Sequence, residues 1–238
     1  MIDTIMLFAA GKGNRMRHLT QNKPKSLIPI LQKPILYYAL EMCKIYSFKK
    51  VVINTHYLSP EIEKAIEIFR QEQQGDFPEI ITIYEEELLE TGGAVKNAIN
   101  ILGTKPIFAL NTDVVIKSEH NLFNEMQKFW HPDKMDFLLL MQPFEKAVGY
   151  CGLGDFEVDN TGRLTRPDIE GNYNYIYAGL QILKPEKIAK NPLKIFSLRE
   201  YYLNSNKAFG MIARNTRWYH ATKPEDLVDI EFDMLAHD

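Results

Sequence analysis

The sequence predicts an α/β protein: a mixed, mainly parallel sheet flanked by helices. Two observations carry this expectation. Between Ile5 and Met141, short apolar runs alternate with amphipathic stretches of ten or more residues, the rhythm of strand–helix–strand units. The glycine-containing and charged segments fall just after strand candidates, and parallel sheets hold ligands at those carboxyl ends. No linker, repeat or low-complexity tract divides the 238 residues, so one domain over 1–238 is expected, with halves at 1–142 and 143–238.

Ile5–Phe8 is the first strand, an apolar run too short for a helix. Pro34 opens an apolar-rich helix to about Tyr46, and Lys50–Asn54 is a second strand. Ser59 can cap a helix with Pro60 at its first position, because Pro lacks only an N–H that is unsatisfied there anyway. Ile62, Ala65, Ile66 and Phe69 then share one face. Ile80–Tyr84 is the third strand. Thr91 can cap a helix striped by Val95, Ala98, Ile99 and Leu102. Ile107–Leu110 is a strand, Asn121–Trp130 a helix and Phe137–Met141 a strand.

After about Pro143 the rhythm changes. Asp159-Asn160-Thr161-Gly162 reads as a hairpin turn between Phe156–Val158 and Arg163–Leu164. Tyr177–Leu183 is a further strand, Leu198–Asn204 is helical, and short strands follow around Met211 and Trp218. Thr222-x-x-Glu225 predicts a capping box starting the last helix. This half is expected to complete the sheet and add a lid.

Composition narrows the function classes. Hydrophobic content of 45% and charged content of 25% are ordinary for a soluble globular chain. A net charge of −3 argues against nucleic acid as partner. The apolar run in MIDTIMLFAAGKG is too short for a signal or membrane span, so no membrane partner is expected. Cys43 and Cys151 give no disulfide framework, which fits a cytoplasmic location. A monomer or homodimer is expected.

The stretch Ala9–Ile30 is exceptional within this background. Gly11 and Gly13 allow a tight turn and close backbone approach. Lys12, Arg15, Arg17, Lys23 and Lys25 place five cations in fourteen residues, and no Asp or Glu occurs between Asp3 and Glu41. A basic, glycine-started loop after a first strand suits a small phosphate-rich ligand, bound by backbone N–H groups and Arg forks. A dinucleotide fingerprint fails, since the third Gly is missing and the second strand ends in Asn54 rather than an acid. No P-loop pattern can be drawn either. A solvated basic loop with turn glycines is the plainer alternative.

The longer pattern G-x-G-x-R-M-x-x-L-T-x-x-x-P-K-x-L-I-P, carried by Gly11, Gly13, Arg15, Met16, Leu19, Thr20, Pro24, Lys25, Leu27, Ile28 and Pro29, resembles the signature of the sugar-1-phosphate nucleotidyltransferases. His18 departs from it, standing where that family usually has Pro. Glu85–Gly93 resembles the family's E-x-x-x-L-E-T-G-G, which lies against the nucleotide base. Asn111-Thr112-Asp113 resembles its (N/G)-x-D, whose carboxylate binds metal. Gly154-Asp155-Phe156 and Tyr177–Ile182 are similar to segments of the branch containing N-acetylmuramate-1-phosphate uridylyltransferases. Trp218–Glu225 resembles W-x-D-V-G-T-P-E, a second metal-binding Asp being replaced by His220 and the Gly by Thr222.

The resemblance implies a Rossmann-like sheet of the nucleotide-diphospho-sugar transferase type, with residues 1–142 binding nucleotide and 143–238 binding sugar. It implies transfer of a nucleotidyl group from an NTP to a sugar 1-phosphate. UTP and N-acetylmuramate 1-phosphate are favoured, the latter used in cell-wall recycling. Mannose-1-phosphate guanylyltransferase, another sugar- or choline-phosphate nucleotidyltransferase, and a non-catalytic nucleotide-binding regulator are the alternatives. Arg15, Lys25 and Asp113 are the implied catalytic residues. Ala10, Gly11, Gly13, Glu85, Gly92 and Gly93 would bind nucleotide, and Asn111, Asp155 and Gly179 the sugar. Asp113 and His220 would hold Mg²⁺, with Mn²⁺ possible because imidazole suits transition ions better.

Overall fold

Ile5, Met6 and Leu7 are all fully buried, as expected of a central strand covered on both faces. Side chains alternate across a strand, so Ile5 and Leu7 join the cluster on one face and Met6 the cluster on the other. The computed structural model describes residues 1–73, 75–166 and 173–237. In chain order its first half contains β1 (Thr4–Phe8), β2 (Pro29–Ile30), β3 (Lys33–Pro34), α1 (Ile35–Tyr46), β4 (Lys50–Thr55), α2 (Ser59–Glu72) and β5 (Glu79–Tyr84). It continues with α3 (Glu90–Asn97), α4 (Ile99–Leu102), β6 (Ile107–Asn111), β7 (Val114–Ser118), α5 (Leu122–Phe129) and β8 (Phe137–Pro143).

The second half adds β9 (Ala147–Val148), β10 (Glu157–Val158), β11 (Leu164–Thr165), β12 (Tyr175–Leu183), α6 (Pro185–Ala189), α7 (Arg199–Asn204), β13 (Ala208–Ile212), β14 (Thr216–His220) and α8 (Pro224–Ala236). Seven strands form one sheet in the order β13-β8-β12-β6-β1-β4-β5. All its neighbours pair parallel except β12, which runs antiparallel to both β6 and β8. This is the mixed, mainly parallel, Rossmann-like sheet the sequence predicts. Helices α1, α2 and α5 pack Leu40, Ile66 and Phe123 on one face, while α3 and α7 bring Val95 and Tyr202 to the other.

Register aligns the strand ends. Phe8 pairs with Asn54 on one side and Asn111 on the other, and Thr55 pairs with Tyr84. The loop after β1, Asn54, Glu85 and Asn111 therefore share one edge of the sheet. A second, three-stranded sheet, β7-β14-β9, was not apparent from the sequence. It pairs His220 with Val114, next to Asp113.

The helix starts differ in detail from expectation. Ser59 and Thr91 lie inside their helices, after Leu58 and Leu89, and the Thr91 hydroxyl accepts from the Leu198 N–H instead. The last helix is capped through Asp226, whose carboxylate accepts the N–H groups of Thr222 and Lys223 at 2.9 and 2.7 Å. Glu225 is turned outward to Arg17. Asn121 does cap α5, accepting from the Asn124 N–H. Among the described residues no helix is long and apolar enough to cross a membrane.

Candidate active site

A cleft of about 430 Å³ opens at the carboxyl ends of β1, β4, β5 and β6. Ala10, Gly11, Gly13, Arg15, Lys25, Glu85, Asn111 and Asp113 line it, joined by Asn14, Ser26, Asn54, Leu88, Glu90, Thr91 and Thr222. Gly13 has φ +65°, a left-handed conformation that favours glycine. Its missing Cβ also makes room for Lys25, whose own Cβ would lie 2.7 Å away. The Thr20 hydroxyl closes this turn by donating to the Gly13 carbonyl at 3.1 Å. The glycine loop thus seats Lys25 directly, whereas Gly11 faces open space. Arg15 is exposed at the rim.

Asp113 follows β6 in a tight turn pinned to β1, because Thr112 donates its N–H and hydroxyl to the Phe8 carbonyl. Lys25 Nζ donates to Asp113 Oδ2 at 2.7 Å, the two side chains being 12% and 27% exposed. His220 Nε2 stands 3.7 Å from the same oxygen. Burial pushes the Asp113 carboxyl up, but the Lys25 ammonium and His220 beside it outweigh this and hold it well below the usual carboxylate range. The other oxygen, Oδ1, is buried with no hydrogen-bond partner. A buried anionic oxygen left without a partner beside the cleft fits a cation. No group of three or more His, Cys, Asp or Glu side chains converges among the described residues. An ion here would need its remaining ligands from substrate and water, which suits Mg²⁺.

Glu85 has a different surrounding from the one its motif suggests. It is 2% exposed and accepts from Asn54 Nδ2 at 2.7 Å and from the Leu89 N–H at 3.1 Å. Asn54 Oδ1 in turn accepts the Ala9 N–H at 3.0 Å. Three strand ends are thereby tied together, from the glycine loop through Asn54 to the loop before α3. Burial pushes the Glu85 carboxyl up, partly opposed by those two donors and by His56.

Gly92 and Gly93 are not in the cleft. Their N–H groups donate to the Phe196 carbonyl at 2.9 and 3.1 Å. The space left by their missing Cβ atoms is taken by the Phe196 ring and the Lys194 carbonyl. Leu88, Glu90 and Thr91 present that segment to the cleft instead. Asp155 and Gly179 are not among the residues lining the cleft. Asp155 Oδ2 accepts the Tyr177 N–H at 3.0 Å, and Gly179, at φ +83° in the bulge of β12, leaves room for Asn111. Asn54 was missed as a site residue. Its only signal was a polar side chain ending an apolar parallel strand.

The chain is similar in sequence and fold to proteins of named activity. The chain is 30% identical over 224 residues to an N-acetylmuramate alpha-1-phosphate uridylyltransferase of Caulobacter vibrioides, covering 92% of each. It is 28% identical over 201 residues to a mannose-1-phosphate guanylyltransferase catalytic subunit beta of Danio rerio, covering 82% of this chain and 53% of that one. Its fold superposes with a TM-score of 0.78 on HddC from Yersinia pseudotuberculosis complexed with GMP-PN, at 19% identity and covering 98% and 100% of the two chains. The model of the family described as nucleotidyl transferase matches residues 4–235. The chain therefore belongs to the nucleotidyl transferase family and is an enzyme of the NTP-dependent sugar-1-phosphate nucleotidyltransferase class.

Proposed function

We propose that this enzyme transfers UMP from UTP to N-acetylmuramate 1-phosphate, releasing pyrophosphate, and that the cleft between the glycine loop and Asp113 is where it does so. The observation that carries the siting is the Lys25–Asp113 pair, with a buried, unpartnered Oδ1 beside a permanent cation. The sugar is suggested by the uridylyltransferase of Caulobacter vibrioides, matched over 92% of both chains.

A phosphate oxygen of the sugar 1-phosphate attacks the α-phosphorus of the NTP in line, the new P–O bond forming as the bond to the leaving pyrophosphate breaks. No covalent enzyme intermediate is needed, so catalysis is positioning plus charge neutralisation. Gly11 and Gly13, following Ala10, offer backbone N–H groups to the triphosphate, and Arg15 takes the leaving β- and γ-phosphates. Lys25 meets the reacting phosphates, where its preorganised charge opposes the negative charge of the transition state. Asn111 lies close to Asp113 for a sugar hydroxyl, Gly179 leaves Asn111 its room, and Asp155 would meet the sugar from beyond the cleft lining. Glu85 holds the base-side loop through the Leu89 N–H, with Gly92 and Gly93 anchoring α3. Asp113 and His220 would hold Mg²⁺ or Mn²⁺, which supplies further positive charge against the phosphates.

The test is a pyrophosphate-release matrix crossing four NTPs with N-acetylmuramate, mannose and glucose 1-phosphates and with choline phosphate. UTP with N-acetylmuramate 1-phosphate should give the highest kcat/KM. A maximum at GTP with mannose 1-phosphate would establish the guanylyltransferase alternative instead. NTP binding without turnover of any pair would make the chain a nucleotide-binding regulator.

A further inference from the structure

Arg199 begins α7 as an exposed cation whose guanidinium makes no ion pair or hydrogen bond among the described residues. Its place is fixed from both sides. The Leu198 N–H donates to the Thr91 hydroxyl at 3.0 Å, and Thr91 lines the cleft. Three residues beyond Arg199, the Tyr202 ring packs edge-on against Tyr177, with centroids 5.8 Å apart. The Tyr202 hydroxyl donates to Gln181 at 2.8 Å, and the Tyr177 N–H donates to Asp155. The start of α7 is thereby held between the cleft wall at Thr91 and the Tyr177–Asp155 contact.

Tyr150 connects this region to Asp113. Its ring lies 6.0 Å from that of His220, which stacks on Trp218, and His220 Nε2 is the group 3.7 Å from Asp113 Oδ2. Burial and Asp155 push the Tyr150 hydroxyl up, while the Gly154 backbone and the Arg199 guanidinium draw it down. Arg199 and Asp155 thus act on one hydroxyl, a single ring removed from His220. Asp155 suits the hydroxyls of a neutral hexose but repels a second carboxylate. N-acetylmuramate differs from N-acetylglucosamine by a lactyl ether on C3, which ends in a carboxylate. Such a sugar needs a cation here, and Arg199 offers a fork that matches a carboxylate. No existing ion pair has to break to release it. Arg166 is a second arginine nearby, but its guanidinium already lies over the Tyr173 ring, 5.0 Å from the centroid. We propose that Arg199 determines specificity for an acidic sugar: its guanidinium pairs with the lactyl carboxylate of N-acetylmuramate 1-phosphate. This inference rests on the proposed function and names the group that would select its sugar.

Pyrophosphate-release kinetics test this by comparing N-acetylmuramate 1-phosphate with its uncharged lactyl methyl ester. The two substrates differ by one charge, so the ratio of their kcat/KM values isolates the carboxylate. The parent should prefer the acid by about ten- to a hundredfold, the usual size of a charge-assisted contact. Arg199→Gln should bring that ratio to within a few-fold of one. Arg199→Lys should keep part of it, having the charge without the fork. A preference for the acid that persists in Arg199→Gln overturns the proposal, as does one abolished by Arg166→Gln instead. So does a parent that uses acid and ester equally. No turnover of N-acetylmuramate 1-phosphate with any NTP would defeat the proposed function and this inference together. Turnover with a preference independent of Arg199 would defeat this inference alone.

Discussion

Lys25 and Asp113 are 88 residues apart in sequence and 2.7 Å apart in space, Nζ to Oδ2. The contact depends on Gly13, whose missing side chain admits Lys25, and on Thr112, which pins the Asp113 turn to the end of β1. Lys25→Ala removes a preorganised cation from the cleft, where the reacting phosphates are proposed to bind. It should lower kcat by about a hundred- to a thousandfold, equivalent to roughly 2.7–4 kcal/mol, with the circular dichroism spectrum unchanged. Turnover within a few-fold of the parent would reduce Lys25 to a partner of Asp113 alone.

The cation site gives a second expectation. Asp113→Asn should lose metal-dependent turnover yet keep NTP affinity, because the phosphate contacts are proposed to come from the Gly11–Lys25 loop. Calorimetric titration with NTP, with and without Mg²⁺, separates the two. In the parent the ratio of Mn²⁺- to Mg²⁺-supported rate should be high, since imidazole suits Mn²⁺ better than Mg²⁺, and His220→Asp should lower it. Identical ratios would make His220 a packing residue against Trp218.

The glycines of the two motifs should behave differently. A Cβ at Gly92 overlaps the Phe196 ring and approaches its carbonyl oxygen, so Gly92→Ala should destabilise the fold by about 1–3 kcal/mol through overpacking. A Cβ at Gly11 meets nothing within 4 Å. Gly11→Ala should leave the urea midpoint unchanged while weakening NTP binding, because the added methyl occupies the phosphate approach. Equal loss of stability in both would contradict this division.

Glu85 predicts a pH effect with a definite sign. Burial raises its carboxyl in the folded chain, whereas the unfolded chain keeps an ordinary value near about 4.3. Between those two values the folded state binds more protons, so this group's contribution to stability falls as pH rises through that window. Glu85→Gln is neutral in both states and lacks that term. The urea midpoint of the parent should therefore drop relative to the variant as pH rises from about 4.5 towards neutrality. Parallel midpoints would mean that Asn54, Leu89 and His56 fully offset the burial.

Much of the fold was legible because strand and helix periods differ and each element buries one face. Ile5–Phe8, Lys50–Asn54 and Ile107–Leu110 were recognisable as strands from their apolar runs alone. Lys25 and Asp113 stood out because their segments resemble family motifs, but no local pattern could give their contact, which depends on the course of the loop after β1 and on the pairing of β1 with β6. Strand β7 was missed because Val114–Ser118 follows β6 after a two-residue turn, and it pairs with β14, about a hundred residues later in the chain. Gly92 and Gly93 show the opposite limit. Their residue types fit either a base or a packed loop, and only the course of residues 194–196 distinguishes these. The cap of the last helix moved by a residue because Asp226, rather than Glu225, faces its N-terminus.

The most direct test of the central claim is a ³¹P spectrum of the protein incubated with UTP, N-acetylmuramate 1-phosphate and Mg²⁺. Direct transfer predicts the diphosphate resonances of a UDP-sugar and free pyrophosphate in equal amounts, with neither product formed when the sugar phosphate is omitted. Release of UMP with pyrophosphate, or of orthophosphate, would mean that water attacks the triphosphate. Unchanged substrates, with this and every other NTP and sugar 1-phosphate, would contradict nucleotidyl transfer altogether.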